Sequence, residues 1–445
     1  MTVSVIRDLG DGLILRRSSA ADAEALARFN GEIHAPTGEA GPNPRISGWT
    51  RDLLGRPHPT FRPDDFLVVE DARTGAIVSS LNLISQTWSY EGIELGVGRV
   101  ELVGTNPAYR QRGLVRAQMA EIHRWSAARG EQVQAITGIP YFYRQFGYEM
   151  TMTLGGGRSA ASSDVPDLKD GETEPVRVRQ AVEADLRFIG DLYHESGKRY
   201  PVTCLRDAAF WRYELGGRSE SSGSRAQLCI IEAADGEAIG FLAHQPRLFQ
   251  NRSLGVYQCE LKSGASWLAV APSILRYTQK VGQEYAAREG KGELRGCAFN
   301  LGAEHPLYEA ASSRLPRVEA PYAWYLRVAD LPDFLGLVAP ALERRLANSI
   351  AVGHSGEVKI SFYRDGLRLK LDRGRLAAIE AWKPTSPEAG DARFPGLTFL
   401  QLLFGYRTLD ELRHAFPDCG TSGDDVRVIL SALFPKRPSH VWPIE

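Results

Sequence analysis

The stretch Val100-Glu101-Leu102-Val103-Gly104-Thr105-Asn106-Pro107-Ala108-Tyr109-Arg110-Gln111-Arg112-Gly113-Leu114-Val115-Arg116 decides the fold. Its first part is β-branched and apolar and predicts a strand. Asn106-Pro107 stops that strand, because proline cannot continue a ladder and asparagine favours turns. A basic segment with one glycine follows. Then Val115, Met119, Ile122 and Trp125 recur at three- and four-residue spacing, the stripe of a helix. Strand, tight basic loop and helix start form an arrangement that suits an anion. The first amides of a helix have no internal partner, and the helix dipole adds positive charge there. Gly113 lets a phosphate approach the backbone. Arg110, Arg112 and Arg116 add forked donors. A pyrophosphate therefore fits. The loop is not a Walker loop, since no Gly-Lys-Ser/Thr follows, and not a dinucleotide fingerprint, since G-x-G-x-x-G is absent. The plain structural alternative is a strand–turn–helix with a solvated basic turn.

A second segment lies about thirty residues on: Gly138-Ile139-Pro140-Tyr141-Phe142-Tyr143-Arg144-Gln145-Phe146-Gly147-Tyr148-Glu149. With it the pattern becomes specific. Arg110-x-x-Gly113-x-Val115, after a strand ending in x-Pro, resembles the coenzyme A loop of the GNAT acyltransferases, Gln/Arg-x-x-Gly-x-Gly/Ala. Val115 departs from that pattern, where a small residue is usual; the Eis-like branch of the family tolerates a larger one. In the same family a short helix carrying a tyrosine precedes Phe-Gly-Tyr/Phe and a strand, and Tyr143 to Tyr148 is similar to it.

Composition bounds the rest. The chain has 445 residues, enough for about two to four domains. A formal net charge of -1 gives no global basic field, so no nucleic-acid or membrane partner is expected. No apolar run reaches membrane-span length. Met1 to Gly12 mixes charges and glycines, so no signal peptide is expected and a cytoplasmic location is the default. The five cysteines, Cys204, Cys229, Cys259, Cys297 and Cys419, form no C-x-x-C pair, which points to neither a zinc site nor a disulfide framework. None precedes Cys204, so a cysteinyl acyl-enzyme is not expected in the first domain and direct transfer is favoured.

Leu13 to Leu15 opens a first strand, and a helix runs from Ser18 to Ile33. A second helix is expected at Arg45 to Leu54. Strands are expected at Phe66 to Glu70, Ala76 to Trp88 and Gln132 to Thr137, with the loop helix running to Arg129. This order is that of a GNAT domain, a mixed sheet with helices on both faces. Gly155-Gly156-Gly157 and the polar stretch after it read as a hinge and linker. Val176 to Leu186 weakly repeats the Leu15-to-Asp22 opening. Trp267 to Pro272 reads as a strand ending in proline, followed by a helix from Ile274 to Ala286 without an Arg/Gly cluster. From Leu331 the alternation of Val358, Ile360 and Phe362, a turn at Arg364-Asp365-Gly366, and Leu367, Leu369 and Leu371 predict a hairpin. Helices are expected at Phe399 to Tyr406, Leu409 to Phe416 and Asp424 to Phe434. This tail is similar to the sterol-carrier-like domain of Eis-type enzymes, a likeness of shape that implies no lipid ligand.

The expected class is α/β (α+β): tandem GNAT-type mixed-sheet domains, then a small α+β sterol-carrier-like domain. The boundaries are 1–156 (catalytic), 157–175 (linker), 176–330 (degenerate GNAT-like) and 331–445. The resemblance implies an N-acetyltransferase that uses acetyl-CoA as co-substrate. The acceptor is a primary amine on an aminoglycoside, a polyamine or a peptide lysine, and the chain is a homo-oligomer, a hexamer in this family. The alternative is a scaffold that binds acyl-CoA without turnover.

The resemblance also assigns roles. Val103, Gly104 and Thr105 offer backbone amides. Arg110, Gln111, Arg112, Gly113, Leu114, Val115 and Arg116 cradle the pyrophosphate, and Gly138 and Ile139 lie along the pantetheine arm. Tyr143 is the general acid, with core packing as its structural alternative, while Tyr141 and Tyr148 are core or wall residues. The base is either Glu101, acting through water, or the chain-terminal carboxylate at Glu445. The apolar, proline-ordered ending Val441-Trp442-Pro443-Ile444-Glu445 suggests that this tail is docked. His123 is expected on the helix surface. No H-E-x-x-H or G-x-S-x-G occurs, so no metallohydrolase, serine hydrolase or metal site is expected.

Overall fold

Alternation along the strands decides which face each residue serves. In the strand Phe66–Asp71, Phe66 and Val68 enter one core while Leu67 and Val69 enter the opposite one. A sheet buried on both faces needs helices on both. The helices Ala23–Ile33 and Pro44–Gly55 cover the first face, through Leu26, Phe29, Trp49 and Leu53. The helix Leu114–Ala128 covers the second, through Met119, Ile122 and Trp125. The computed structural model describes residues 5–38, 41–139, 141–290 and 292–445, so Pro140 and the first four residues of the sequence lie outside the described residues.

The first sheet has nine strands. Its path runs Val5–Gly10, Leu13–Arg17, Phe66–Asp71, Ala76–Tyr90, Ile93–Thr105, Val133–Ile136, Tyr322–Val328 and Glu149–Leu154, with Val202–Cys204 paired to the end of Ala76–Tyr90. Neighbours are antiparallel except Ile93–Thr105 and Val133–Ile136, which run parallel. The second sheet has seven strands, ordered Arg317–Glu319, Gly157–Ala161, Gly296–Phe299, Ser253–Leu261, Ala238–His244, Gln227–Ala233 and Val176–Gln180. The third, of five, is built on the hairpin Gly356–Ser361 and Gly366–Asp372.

The weak internal repeat at Val176 is structural. Arg16 Nη2 meets Asp22 Oδ1 at 2.7 Å and its Nε meets Glu70 Oε2 at 2.7 Å. Arg179 does the same with Asp185 and Glu232, both at 2.6 Å. Each unit therefore ties the strand before its first long helix to the following turn and to the neighbouring strand of the sheet through one guanidinium.

Three sequence expectations are corrected. Residues 157–161 are not linker. They form a strand wedged between Gly296–Phe299 and Arg317–Glu319 of the second sheet. In return Tyr322–Val328, expected in the second unit, lies between Val133–Ile136 and Glu149–Leu154 of the first. The glycine run is the crossing point of this exchange. A Cβ on Gly156 would lie 2.8 Å from Pro321 Cα, and one on Gly157 would lie 2.1 Å from the Phe299 carbonyl oxygen. The glycines serve close approach rather than hinge motion. Finally, Trp267 to Pro272 is not a strand. Ser266 caps a single helix Trp267–Glu289 that carries Pro272 inside it. Val270, Ala271, Ile274 and Leu275 are buried at helical spacing.

The third unit has no separate core. Phe334, Leu342 and Phe399 join Trp88, Tyr90 and Trp324 of the first sheet in one cluster. Tyr90 Oη donates to the Leu403 carbonyl at 2.8 Å. This seam brings the last residues of the sequence back to the first sheet.

Candidate active site

The site begins where two parallel strands part. Ile93–Thr105 and Val133–Ile136 pair from Val97↔Val133 to Val100↔Ile136 and no further. Beyond that register the edge of residues 101–105 has no strand partner among the described residues. On the other edge the ladder slips between Ser80↔Gly104 and Asn82↔Glu101. Leu102 sits at the slip with φ +52°, a conformation that costs a branched side chain energy. The bulge thus interrupts the strand just before Val103, Gly104 and Thr105, where free backbone groups are expected. Gly104 is glycine for space, since a Cβ there would lie 2.7 Å from Ile33 Cγ2.

The loop after the strand is stiffened from outside. Asn106 accepts from the Ala108 amide at 3.0 Å, and Tyr109 Oη donates to Asp71 Oδ2 at 2.8 Å. Gln111 and Gly113 take left-handed φ values of +64° and +73°. Gly113 is the N-cap of the helix Leu114–Ala128 and, having no side chain, caps nothing. The first intrahelical bond comes from the Ala117 amide to the Gly113 carbonyl, at 3.0 Å. The amides of Leu114, Val115 and Arg116 therefore point out of the helix end unpaired by any cap. The second unit differs at the same place. Its loop Lys262 to Ser266 carries no arginine, Lys262 pairs with Glu237, and Ser266 caps the Ala269 amide at 3.3 Å. A side chain thus caps the helix start in the second unit, whereas in the first unit no side chain does.

These elements enclose a cavity of about 840 Å³. Glu101, Tyr143 and every candidate cofactor-binding residue except Arg112 line it. Arg112 instead lies over the Tyr109 ring, 5.1 Å from its centroid. Arg116 donates to Gln145 Oε1 at 2.9 Å, joining the loop to the tyrosine segment. Val115 lines the cavity where the coenzyme A pattern has a small residue. Open amides, a glycine without Cβ, Arg110 and Arg116 fit a coenzyme A pyrophosphate, and the parted strands fit an extended pantetheine arm.

Tyr143 sits in the short helix Phe142–Phe146 and is 5% exposed. Its ring packs on Gly138, whose φ is +141°. A Cβ there would lie 2.9 Å from Tyr143 Cε2. Burial first, then Glu101 and Tyr322, pushes its phenol well above the ordinary value, so it keeps its proton at neutral pH. Tyr148 is core, as expected, and hydrogen-bonds His123 at 2.9 Å. Tyr141 is 72% exposed and serves neither core nor cavity wall, because it begins the turn with φ +63°. His123 is partly buried rather than a surface residue, and burial lowers it to about 4.

Glu101 is held from two sides. Arg99 Nη2 donates to its Oε1 at 2.6 Å, and Thr137 Oγ1 donates to the same atom at 3.2 Å. Glu445 does not line the cavity, yet it shares that guanidinium, its Oε1 lying 3.2 Å from Arg99 Nη2. The tail is docked carbonyl by carbonyl. Trp442 and Pro443 accept from Arg206 Nη2 at 3.1 and 2.7 Å. Ile444 accepts from Gln86 Nε2 at 2.8 Å and Arg99 Nη1 at 2.9 Å. Glu445 O accepts from Arg218 Nη2 at 2.8 Å. Glu214, on the π-helical turn Tyr213–Gly217, sits between Arg206 and Arg218. Burial alone would raise its carboxyl, but Arg218 and Arg206 hold it below the ordinary value.

Sequence reasoning missed Arg99, His34 and Trp49. Arg99 carried a signal, being a charge two residues before Glu101 on an otherwise apolar strand and so on the same face. His34 and Trp49 line the cavity from the helices Ala23–Ile33 and Pro44–Gly55, and no local pattern marks them. Burial lowers His34, against the opposing pull of Glu101 and the Leu102 backbone. No cysteine lines the cavity, and all five are free and buried. No cluster of three metal-ligating side chains occurs among the described residues.

With this geometry in hand, residues 43–151 match the family model Acetyltransferase (GNAT) domain. Those residues are a GNAT acetyltransferase domain. No curated protein matches the chain by sequence. Solved structures match its fold along almost the whole length. A probable N-acyltransferase from Enterococcus faecalis V583 is 14% identical with a TM-score of 0.65, over 96% of this chain and 97% of that one. A GCN5-related N-acetyltransferase from Kribbella flavida is 17% identical with a TM-score of 0.62, over 96% and 97%. Eis1 from Mycobacterium abscessus is 14% identical with a TM-score of 0.58, over 96% and 99%. The chain thus has the Eis-like GNAT fold. The GNAT domain holds both the bulged strand and the open helix start. Among the described residues no helix is long and apolar enough to cross a membrane.

Proposed function

We propose that this chain is an acetyl-CoA-dependent N-acetyltransferase that moves an acetyl group directly onto a primary amine of a small molecule or a peptide lysine. One observation carries the reading. A proton-retaining phenol, Tyr143, and a fixed carboxylate, Glu101, line the same cavity as an uncapped, arginine-flanked helix start.

Acyl transfer from a thioester to an amine needs the amine deprotonated, the carbonyl polarised and the leaving thiolate protonated. Glu101 takes the ammonium proton through water, while Arg99 and Thr137 fix its orientation. The backbone at Val103 to Thr105 faces the carbonyl. Tyr143 gives its proton to the departing sulfur. Glu445 stands as the second carboxylate on Arg99 and completes the acceptor side. Acetyl-CoA supplies the acetyl group and its thioester leaving group. A homo-oligomeric, cytoplasmic enzyme with a sterol-carrier-like third unit belongs to the same proposal, as does an inactive second unit.

Thiol release with acetyl-CoA and a panel of amines, with product mass measured, tests the reading. Tyr143→Phe is expected to lower kcat about 10²- to 10⁴-fold and to leave acetyl-CoA binding unchanged. Equal rates would remove the tyrosine from its role. Heat of acetyl-CoA binding without thiol release from any amine would mark a binding protein instead.

A further inference from the structure

Among the described residues, the titratable side chains on the cavity wall are His34, Glu101, Tyr109, Arg110, Arg116 and Tyr143. Glu101 and Tyr143 take part in the transfer, and Arg110 and Arg116 flank the pyrophosphate loop. Tyr109 is committed to Asp71. His34 alone is left without a task.

Its place is set by the backbone. His34 is the C-cap residue of the helix Ala23–Ile33, and its amide donates to the Asn30 carbonyl at 3.0 Å. The ring lies against the bulged strand, where a Cβ on Gly104 would stand 3.6 Å from His34 Nε2. Gly104 is the middle residue of the segment that faces the thioester carbonyl, so the imidazole stands beside the place where bonds change. Nε2 is buried and has no hydrogen-bond partner. Such a nitrogen costs free energy until something pairs with it. On a cavity wall, that partner can arrive with the substrate. Burial holds the ring below its ordinary value, so it is neutral near pH 7 and able to accept a proton. Two features favour the imidazolium once it forms. His34 sits at the negative end of the helix dipole. Glu101 also pulls the ring towards its charged form.

The chemistry needs one more proton acceptor. An ammonium loses a first proton before it attacks, and Glu101 takes that one through water. Attack forms the C–N bond and leaves a cationic nitrogen with two hydrogens, of which the amide keeps one. Resting on the acetyl-transfer reading, we infer that His34 is a catalytic residue that takes this second proton from the nitrogen of the tetrahedral adduct. The C–S bond then breaks, its electron pair leaves on sulfur, and Tyr143 protonates the thiolate. Glu101 and His34 each release their proton to solvent, and Tyr143 regains one. One proton is thus released for each ammonium and thioester converted to amide and thiol.

The test uses the full chain, acetyl-CoA and three amines: butylamine, spermidine and a lysine peptide flanked by alanine. His34→Gln is expected to lower kcat about 10²-fold, with KM for acetyl-CoA unchanged. The acid limb that His34 gives to the kcat profile should disappear with it. In His34→Ala, added imidazole should restore the rate in proportion to its concentration, and methylimidazoles should do so in order of basicity. A purely structural role would produce neither effect. Folding of each variant is read from its heat of acetyl-CoA binding, and should His34→Gln not fold, the His34→Ala rescue decides. The parent gives a further check: a kcat profile with no limb below 6.5 overturns the inference. So does a kcat within about twofold of the parent, or a fall that imidazole does not rescue and that keeps the parent's pH profile. These outcomes leave acetyl transfer standing. No thiol release with any amine overturns the transfer reading and the inference with it.

Discussion

Gly138 shows what one absent carbon does. Its left-handed backbone and missing Cβ let the Tyr143 ring lie against the chain where the pantetheine arm is expected. Gly138→Ala should therefore displace the phenol and strain the backbone. The expected result is a fall in kcat with acetyl-CoA affinity largely kept, and a stability loss of at least about 1 kcal/mol by chemical denaturation. Wild-type kcat in that variant would show that the ring is not positioned there. The places of Tyr143 and Gly113 on the cavity wall were legible in the sequence because each sits in a short segment whose residue types and spacing suffice. Arg99 was half legible, and His34 was not. Its place opposite Glu101 depends on how a helix crosses a sheet, which no short segment records.

At the scale of elements, two devices decide the site: a bulge and a docked tail. The bulge at Leu102 opens one edge of Ile93–Thr105 without ending the strand. The proline after it was readable, but the slip of register was not, because register is a property of two strands. The tail was readable as ordered, from its apolar, proline-containing residues. The three buried arginines that hold it lie far away in the sequence. Removing Ile444 and Glu445 should cut turnover far more than acetyl-CoA affinity, measured by steady-state kinetics and calorimetry. Unchanged turnover would exclude the tail from the acceptor side. Arg206→Met leaves Glu214 with one partner in full burial and releases two tail carbonyls. A loss of about 3–5 kcal/mol is expected in equilibrium unfolding. A loss below about 1 kcal/mol would mean that Arg218 alone satisfies Glu214.

Over the whole molecule, the first two units are not separable. Val202–Cys204 and Tyr322–Val328 join the first sheet, Gly157–Ala161 joins the second, and the third unit shares its core with the first sheet. Acid should act on them together. His58, His123, His244 and His440 are each lowered from 6.5 to about 4, first of all by burial. The unfolded chain binds these protons from about 6.5 downward, while the folded chain resists them until about 4. Stability is therefore full above 6.5 and falls as pH drops through that window. The Tm should decline between these pH values, and less steeply in His440→Gln. A flat Tm across the window would refute this account. By itself the sequence determined the mixed α/β class, the basic loop that opens a helix, and the candidate acid. Hydrophobic period, turn residues and a helix start are short-range properties of the chain. Tertiary structure alone decided the strand exchange and the arginine-held tail, because each joins residues from distant segments, and only packing brings such groups within hydrogen-bonding range.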